Sequence, residues 1–343
     1  MMLDRLRRER ANPLSRRVAS CARSRTLMQA FLWLKRVLCS TALAWALSAG
    51  PAFAQLATTT TTTPNVALNT DQFDYDYVVP KNPAHMPLYN MLREARLLEK
   101  MKEFLSPIRL PERITLRLVG CDGVLNAYFF KDEVKICYEY FEYIRKYTAK
   151  AERFGLTPKD AMIGPVVEVF LHEVGHAVVQ IMDIPYFGRQ EDVADYFATY
   201  VLLQFAKDDA RRLILGTSLL SGTEAMEEQS KAPELRLLAD THSLPAQRYY
   251  NRWCMAYGAD PELFGDAIQL GMLPQHRARG CRYEWLTNEF AFKTLISPYI
   301  DQKLKEKILA QQWFTFESAA VAARMSQPSP SPAEAEKKPA AAQ

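Results

Sequence analysis

His172-Glu173-Val174-Gly175-His176, set inside an otherwise apolar run, leaves this chain few ways to fold. Val169, Phe170 and Leu171 precede it, and Ala177, Val178 and Val179 follow. That composition predicts a helix buried nearly all round, where two imidazoles and a carboxylate need partners. On a helix, residues four apart share a face, so both histidines reach a single ion. The intervening Glu173 stands beside that ion, placed to act as general base toward water. A catalytic zinc takes three protein ligands and keeps one position open, so a third ligand is required.

The segment Glu191-Asp192-Val193-Ala194-Asp195 offers it. Thr157 as N-cap and Pro158 at the first position start the motif helix, which runs towards Met182, with a kink or restart expected at Gly164-Pro165. The stretch 183–190 is long enough to turn the chain back, and a second helix is expected over roughly Glu191 to Ala206. Glu191 then completes a His2Glu set with His172 and His176. Asp195, one turn on, accepts the spare ring N–H of a zinc histidine. Asp192 is a lesser rival for the metal, since it points elsewhere on the helix.

Elsewhere the periodicities predict one helix over Pro87 to Leu105, and strands at Ile114–Val119, Asn126–Phe130 and Val134–Tyr138. Beyond Leu213 the chain reads as helices broken by Pro233, Pro245, Pro261 and Pro274. Few strands followed by many helices indicates an α+β fold.

H-E-x-x-H followed by E-x-x-A-D-x-x-A resembles the gluzincins, which include thermolysin and the prenyl-protein endopeptidases. Among these the chain is most similar to an uncharacterised family of bacterial metallopeptidases, from about Cys121 to Cys281. That similarity runs through Asn126-Ala127-Tyr128, Cys137-Tyr138-Glu139, the metal motif, the stretch from His242 to Tyr249, and Cys254. The resemblance implies a zincin-like fold: a small N-terminal sheet over the active-site helix, with a helical C-terminal lobe as the other cleft wall. It implies zinc as cofactor and a peptide or protein as substrate. It also implies that Asn126 and Ala127 lie on the sheet's edge strand against an extended substrate backbone. His242, oriented by Asp240, would stabilise the tetrahedral intermediate, with Arg248 or Tyr249 as rivals. The alternative is a zinc-bearing envelope module, binding or structural, without turnover.

Residues 1–54 read as a signal peptide: Lys35-Arg36, an apolar run from Val37 to Ala49, then Ala52-Phe53-Ala54. Met28 is a second candidate start, which makes 1–27 an over-extension. The first 54 residues hold ten of the 43 Lys and Arg but two of the 39 Asp and Glu, so the remainder is slightly acidic despite the overall +4. No basic stripe interleaved with aromatics occurs, which argues against nucleic acid as a partner. Residues 55–70, with threonine from Thr58 to Thr63, read as a linker. The folded domain is expected over 71–325, and 326–343 as a disordered tail. The h-region is short for a bilayer span, so the mature chain is expected to be periplasmic or secreted, with no stable membrane span. In that oxidising setting Cys121, Cys137, Cys254 and Cys281 form two disulfides, and proximity favours Cys121–Cys137 and Cys254–Cys281.

Overall fold

The computed structural model describes residues 71–148, 151, 156–229 and 235–314. The chain divides into two units, Met1–Asn65 and Val66–Gln343, and every described residue belongs to the second. The expected signal peptide (1–54), linker (55–70) and tail (326–343) lie outside the described residues, as does 315–325 of the expected domain. Within the described region the architecture is α+β, mostly helical with a small four-stranded sheet.

The sheet has the order β1-β2-β4-β3, from β1 (Phe73–Tyr77), β2 (Ile114–Val119), β3 (Ala127–Phe130) and β4 (Glu133–Cys137). β1, β2 and β4 run parallel, and β3 is antiparallel to β4, so β3 forms an open edge. Ile114, Leu116 and Leu118 alternate inwards on β2 and pair with the Val134 and Ile136 side of β4, forming a fully buried seam. Cys121 and Cys137 are disulfide-bonded, which ties the loop before β3 to the end of β4.

β1 was not anticipated, because its five residues gain their sheet character from a partner some forty positions away. The single helix expected over Pro87–Leu105 is two, α1 (Met86–Glu94) and α2 (Leu97–Leu105). Arg96 between them takes a left-handed φ of 54°. The Tyr77 hydroxyl explains the break: it accepts from Leu98 N–H at 2.8 Å and donates to Glu99, capping α2 from β1. β4 runs directly into α3 (Tyr138–Thr148), another element absent from the sequence reading.

α4 (Pro158–Ile181) is the central helix, capped by Thr157 as expected. It continues through Pro165 without restarting. Proline cannot donate to the Ala161 carbonyl, which instead faces Gly216, where a Cβ would approach it to 3.1 Å. α4 has the length and composition of a membrane span, yet 83% of its most apolar window is buried by the rest of the domain, so it is a core helix. Around it pack α5 (Gln190–Leu202) and α6 (Lys207–Gln229), and beyond a short α7 (Leu235–Leu238), α8 (Pro245–Ala259) packs against both of these. After α9 (Asp266–Gln269), α10 (Gln275–Leu295) covers α8, held by the Cys254–Cys281 disulfide, and α11 (Gln302–Leu309) follows. Each disulfide closes a loop of a size worth about 3 kcal/mol in the chain-entropy picture.

Candidate metal centre

α4 ends in a Schellman turn. Asp183 has φ 47°, Ile184 N–H bonds Val179 C=O at 3.0 Å, and Ile184 and Val179 are both buried. Gly188, with φ 93°, completes the reversal that returns α5 onto α4. The two helices touch at Gly175, inside the motif itself. A Cβ there would lie 3.2 Å from Ala194 Cα and 3.2 Å from Phe197 Cδ1. This close approach brings the first turn of α5 beside the two histidines.

His172 Nε2, His176 Nε2 and Glu191 Oε2 then form a triangle whose three sides are each 3.2 Å. Ligand–ligand distances in a tetrahedral site with bonds of about 2.0–2.1 Å are close to 3.3 Å. These three atoms would therefore be the ones to hold a metal ion. Asp195 Oδ1 lies 2.9 Å from His172 Nδ1, which places that proton on Nδ1 and turns the Nε2 lone pair to the shared point. Arg248 grips the same carboxylate with two bonds, Nε to Oδ2 at 2.7 Å and Nη2 to Oδ1 at 2.6 Å. Burial opposes ionisation of Glu191, but His172, His176 and His242 hold it far below the usual carboxylate range. Burial likewise depresses His172, yet Asp195 and Glu191 outweigh it and lift the ring to about 10. The donor set is thus one that stabilises positive charge.

His242 reaches Glu191 Oε2 from the other side, Nε2 at 2.9 Å, with Nδ1 3.1 Å from Asp240 Oδ1. With His172 and Glu191 it makes a second group of donors within 4.8 Å of one another. Equal spacing favours His176 as the ligand, and His242, half exposed on the loop before α8, borders the open side. Asp192 faces away: it accepts from Ser243 Oγ at 2.6 Å and from Arg189 Nε at 3.0 Å, anchoring the His242-Ser243 loop. A further grouping of Cys121, Cys137 and Glu139 offers no thiolate, since both sulfurs are in the disulfide.

Glu173 is buried, and burial raises its carboxyl pKa against the pull of His172 and His176. The backbone of Phe129 on the edge strand also favours the ionised form, to a lesser degree. Cys137 N–H bonds Asn126 C=O at 3.2 Å, so antiparallel alternation turns the polar groups of Ala127 and Phe129 outward, towards α4. Asn126 Oδ1 accepts from Ala127 N–H at 3.0 Å. Between this edge and α8 opens a cavity of about 210 Å³ bordered by Asn126, Ala127, His172, Glu173, His242 and Arg248. The structure thus brings His172, His176, Glu191, Asp195 and His242 together, with Glu173, Asn126 and Ala127 on the adjoining cavity wall, while Asp192 stays outside the group.

A family model described as "Putative metallopeptidase" matches residues 77–296, more than half of the chain. The chain belongs to that metallopeptidase family. No curated protein and no solved structure matches it. The matched region is wider than the Cys121–Cys281 stretch of the resemblance and contains the entire centre. Family membership brings a metal ion as cofactor, peptide-bond hydrolysis as reaction and a peptide or protein as substrate.

Several polar residues of this metallopeptidase cavity were missed. Glu168 Oε1 accepts from Arg252 Nη2 at 2.8 Å, a pair buried on both sides. Glu168 stands four residues before His172, and Arg252 four after Arg248, so helical spacing carried a signal for both. The Tyr143–Glu224 hydrogen bond, 2.7 Å, joins residues 81 apart and had none.

Proposed function

We propose that this protein is an exported gluzincin-type zinc endopeptidase with a zincin-like fold. In this reading, residues 1–54 direct export and 71–325 form the catalytic domain in the periplasm or outside the cell. The equal 3.2 Å triangle of His172, His176 and Glu191 carries the proposal. Zinc, when bound there, supplies a Lewis acid that polarises a peptide carbonyl and makes water acidic. The chain's own residues do the rest. Asp195, backed by Arg248, fixes the His172 tautomer. Glu173 takes a proton from the attacking water and delivers it to the leaving amine, and burial suits it to both tasks by raising its proton affinity. His242 Nε2 donates to the developing oxyanion, steadied by Asp240. Asn126 and Ala127 hold the substrate backbone along the outward edge of β3.

Purified protein is expected to bind about one zinc per chain, and Glu191→Ala to lose most of it. Glu173→Gln should retain zinc and abolish hydrolysis of an unfolded protein substrate. Little zinc in the wild type removes the peptidase at its root. Zinc without hydrolysis of any peptide substrate makes the protein a binding or structural module of the envelope.

A further inference from the structure

The cavity beside the metal centre extends into a polar recess walled by Tyr143, Thr217, Ser221 and Glu224. The charges on its walls largely cancel in pairs. Arg248 is bidentate on Asp195, and Arg252 joins Glu168 while giving its other terminal nitrogen to Ser221 Oγ at 2.9 Å. Glu224 differs. Its Oε1 accepts the Tyr143 hydroxyl at 2.7 Å, and no cation among the described residues pairs with it. Burial raises the Glu224 carboxyl above its ordinary value, against the pull of Tyr143 and the two arginines. On the same wall Thr217, 2% exposed, has a buried hydroxyl without a hydrogen-bond partner among the described residues.

We propose that this recess is the pocket for one substrate residue flanking the scissile bond, and that Glu224 with Tyr143 selects a side chain ending in a cationic nitrogen, lysine or arginine. The proposal rests on the peptidase reading above and names its substrate class. The whole cavity, its metal side included, is about 210 Å³, below the roughly 300–1,000 Å³ of small-molecule pockets, so the recess within it has room for one side chain at most. An ammonium or guanidinium supplies Glu224 with the missing counter-charge and offers a donor to Thr217 Oγ1. An apolar side chain would leave the Glu224 carboxylate without a counter-charge and Thr217 Oγ1 without a donor, a cost of the kind that gives polar pockets their selectivity. An acidic side chain would meet an unpaired carboxylate, and the two arginines are already engaged.

The test separates binding from turnover. The full chain carrying Glu173→Gln, loaded with zinc, is titrated by calorimetry with blocked Ala-Ala-X-Ala-Ala peptides in which X is Lys, Arg, Met or Glu. Lys and Arg peptides are expected to bind at least about tenfold more tightly than Met, with Glu weakest. Adding Glu224→Gln should bring the advantage over Met below about twofold. Glu224→Asp draws the carboxylate back by one methylene and should shift the preference from Lys towards the longer Arg. Far-UV circular dichroism and zinc content check the fold of each variant. Equal binding of Lys and Met peptides, a preference that survives Glu224→Gln, or no binding of any peptide overturns the pocket assignment. Wild-type turnover on the same peptides judges the other reading independently. Discrimination in binding without cleavage keeps the pocket and sinks the peptidase, whereas cleavage without discrimination sinks the pocket alone.

Discussion

Replacing Gly175 by Ala would probe how the two metal-bearing helices are held together. In an isolated helix the change is stabilising by about 0.8–1.0 kcal/mol, because alanine loses less backbone freedom. Here the new Cβ would lie 3.2 Å from Ala194 Cα, 3.2 Å from Phe197 Cδ1 and 3.3 Å from Phe197 Cβ. Two of these atoms are fixed closely by the α5 backbone, and both residues are buried. Relief requires α5 to retreat by roughly 0.4 Å, and overpacking of this kind costs about 1–3 kcal/mol. The net destabilisation is therefore expected to be about 0–2 kcal/mol. The metal should register the change more strongly than the fold. Glu191 is three residues from Ala194 on the same helix, and ligand distances tolerate only about 0.2 Å. Zinc affinity, measured by competition with a chelator, is expected to fall by at least about tenfold, a loss of about 1.4 kcal/mol. Urea denaturation of the metal-free protein measures the fold separately. A variant that is about 1 kcal/mol more stable and binds zinc as tightly as wild type would refute the close approach at Gly175.

Asp195→Asn removes the charge that His172 and Arg248 share, and is expected to weaken zinc binding by about 10–100-fold. Unchanged affinity would show that Asp195 does not orient the ligand. Arg252→Met leaves Glu168, whose side chain is 6% exposed, with only the longer 3.9 Å contact to Arg248, and should cost about 3 kcal/mol by urea denaturation. Adding Glu168→Gln should recover much of that loss, and a single variant costing under about 1 kcal/mol would contradict a buried ion pair. Glu139 gives a pH test. Burial raises its carboxyl, but N–H donors from Gly123 and Cys121 prevail and set it below the ordinary value. A depressed carboxyl contributes stability that is present above about pH 4.5 and is lost as pH falls through the folded value. The stability gap between wild type and Glu139→Gln should therefore be full at neutral pH and close in acid, and a gap constant across that range would contradict it.

What could be read before folding was whatever the chain records within a turn or two of itself. His172, Glu173 and His176 declare their chemistry because helical spacing alone puts them on one face. Thr157 and Pro158 mark the start of that helix for equally local reasons, and the two disulfides join the cysteines nearest in sequence. The inward alternation of Ile114, Leu116 and Leu118 likewise announces a strand. Other features arise only when distant segments meet. β1 is a strand because β2 pairs with it, and the break at Arg96 exists because Tyr77 caps Leu98 across the fold. Spacing offered three acids on α5. Packing at Gly175 turned Glu191 to the imidazoles and Asp195 to the back of His172, while Asp192 went to the His242 loop. The recess itself, with Tyr143 on α3, Glu224 on α6 and Arg252 on α8, has no local signature. Those groups acquire their burial and their partners from one another, and neither property belongs to any of them in the extended chain.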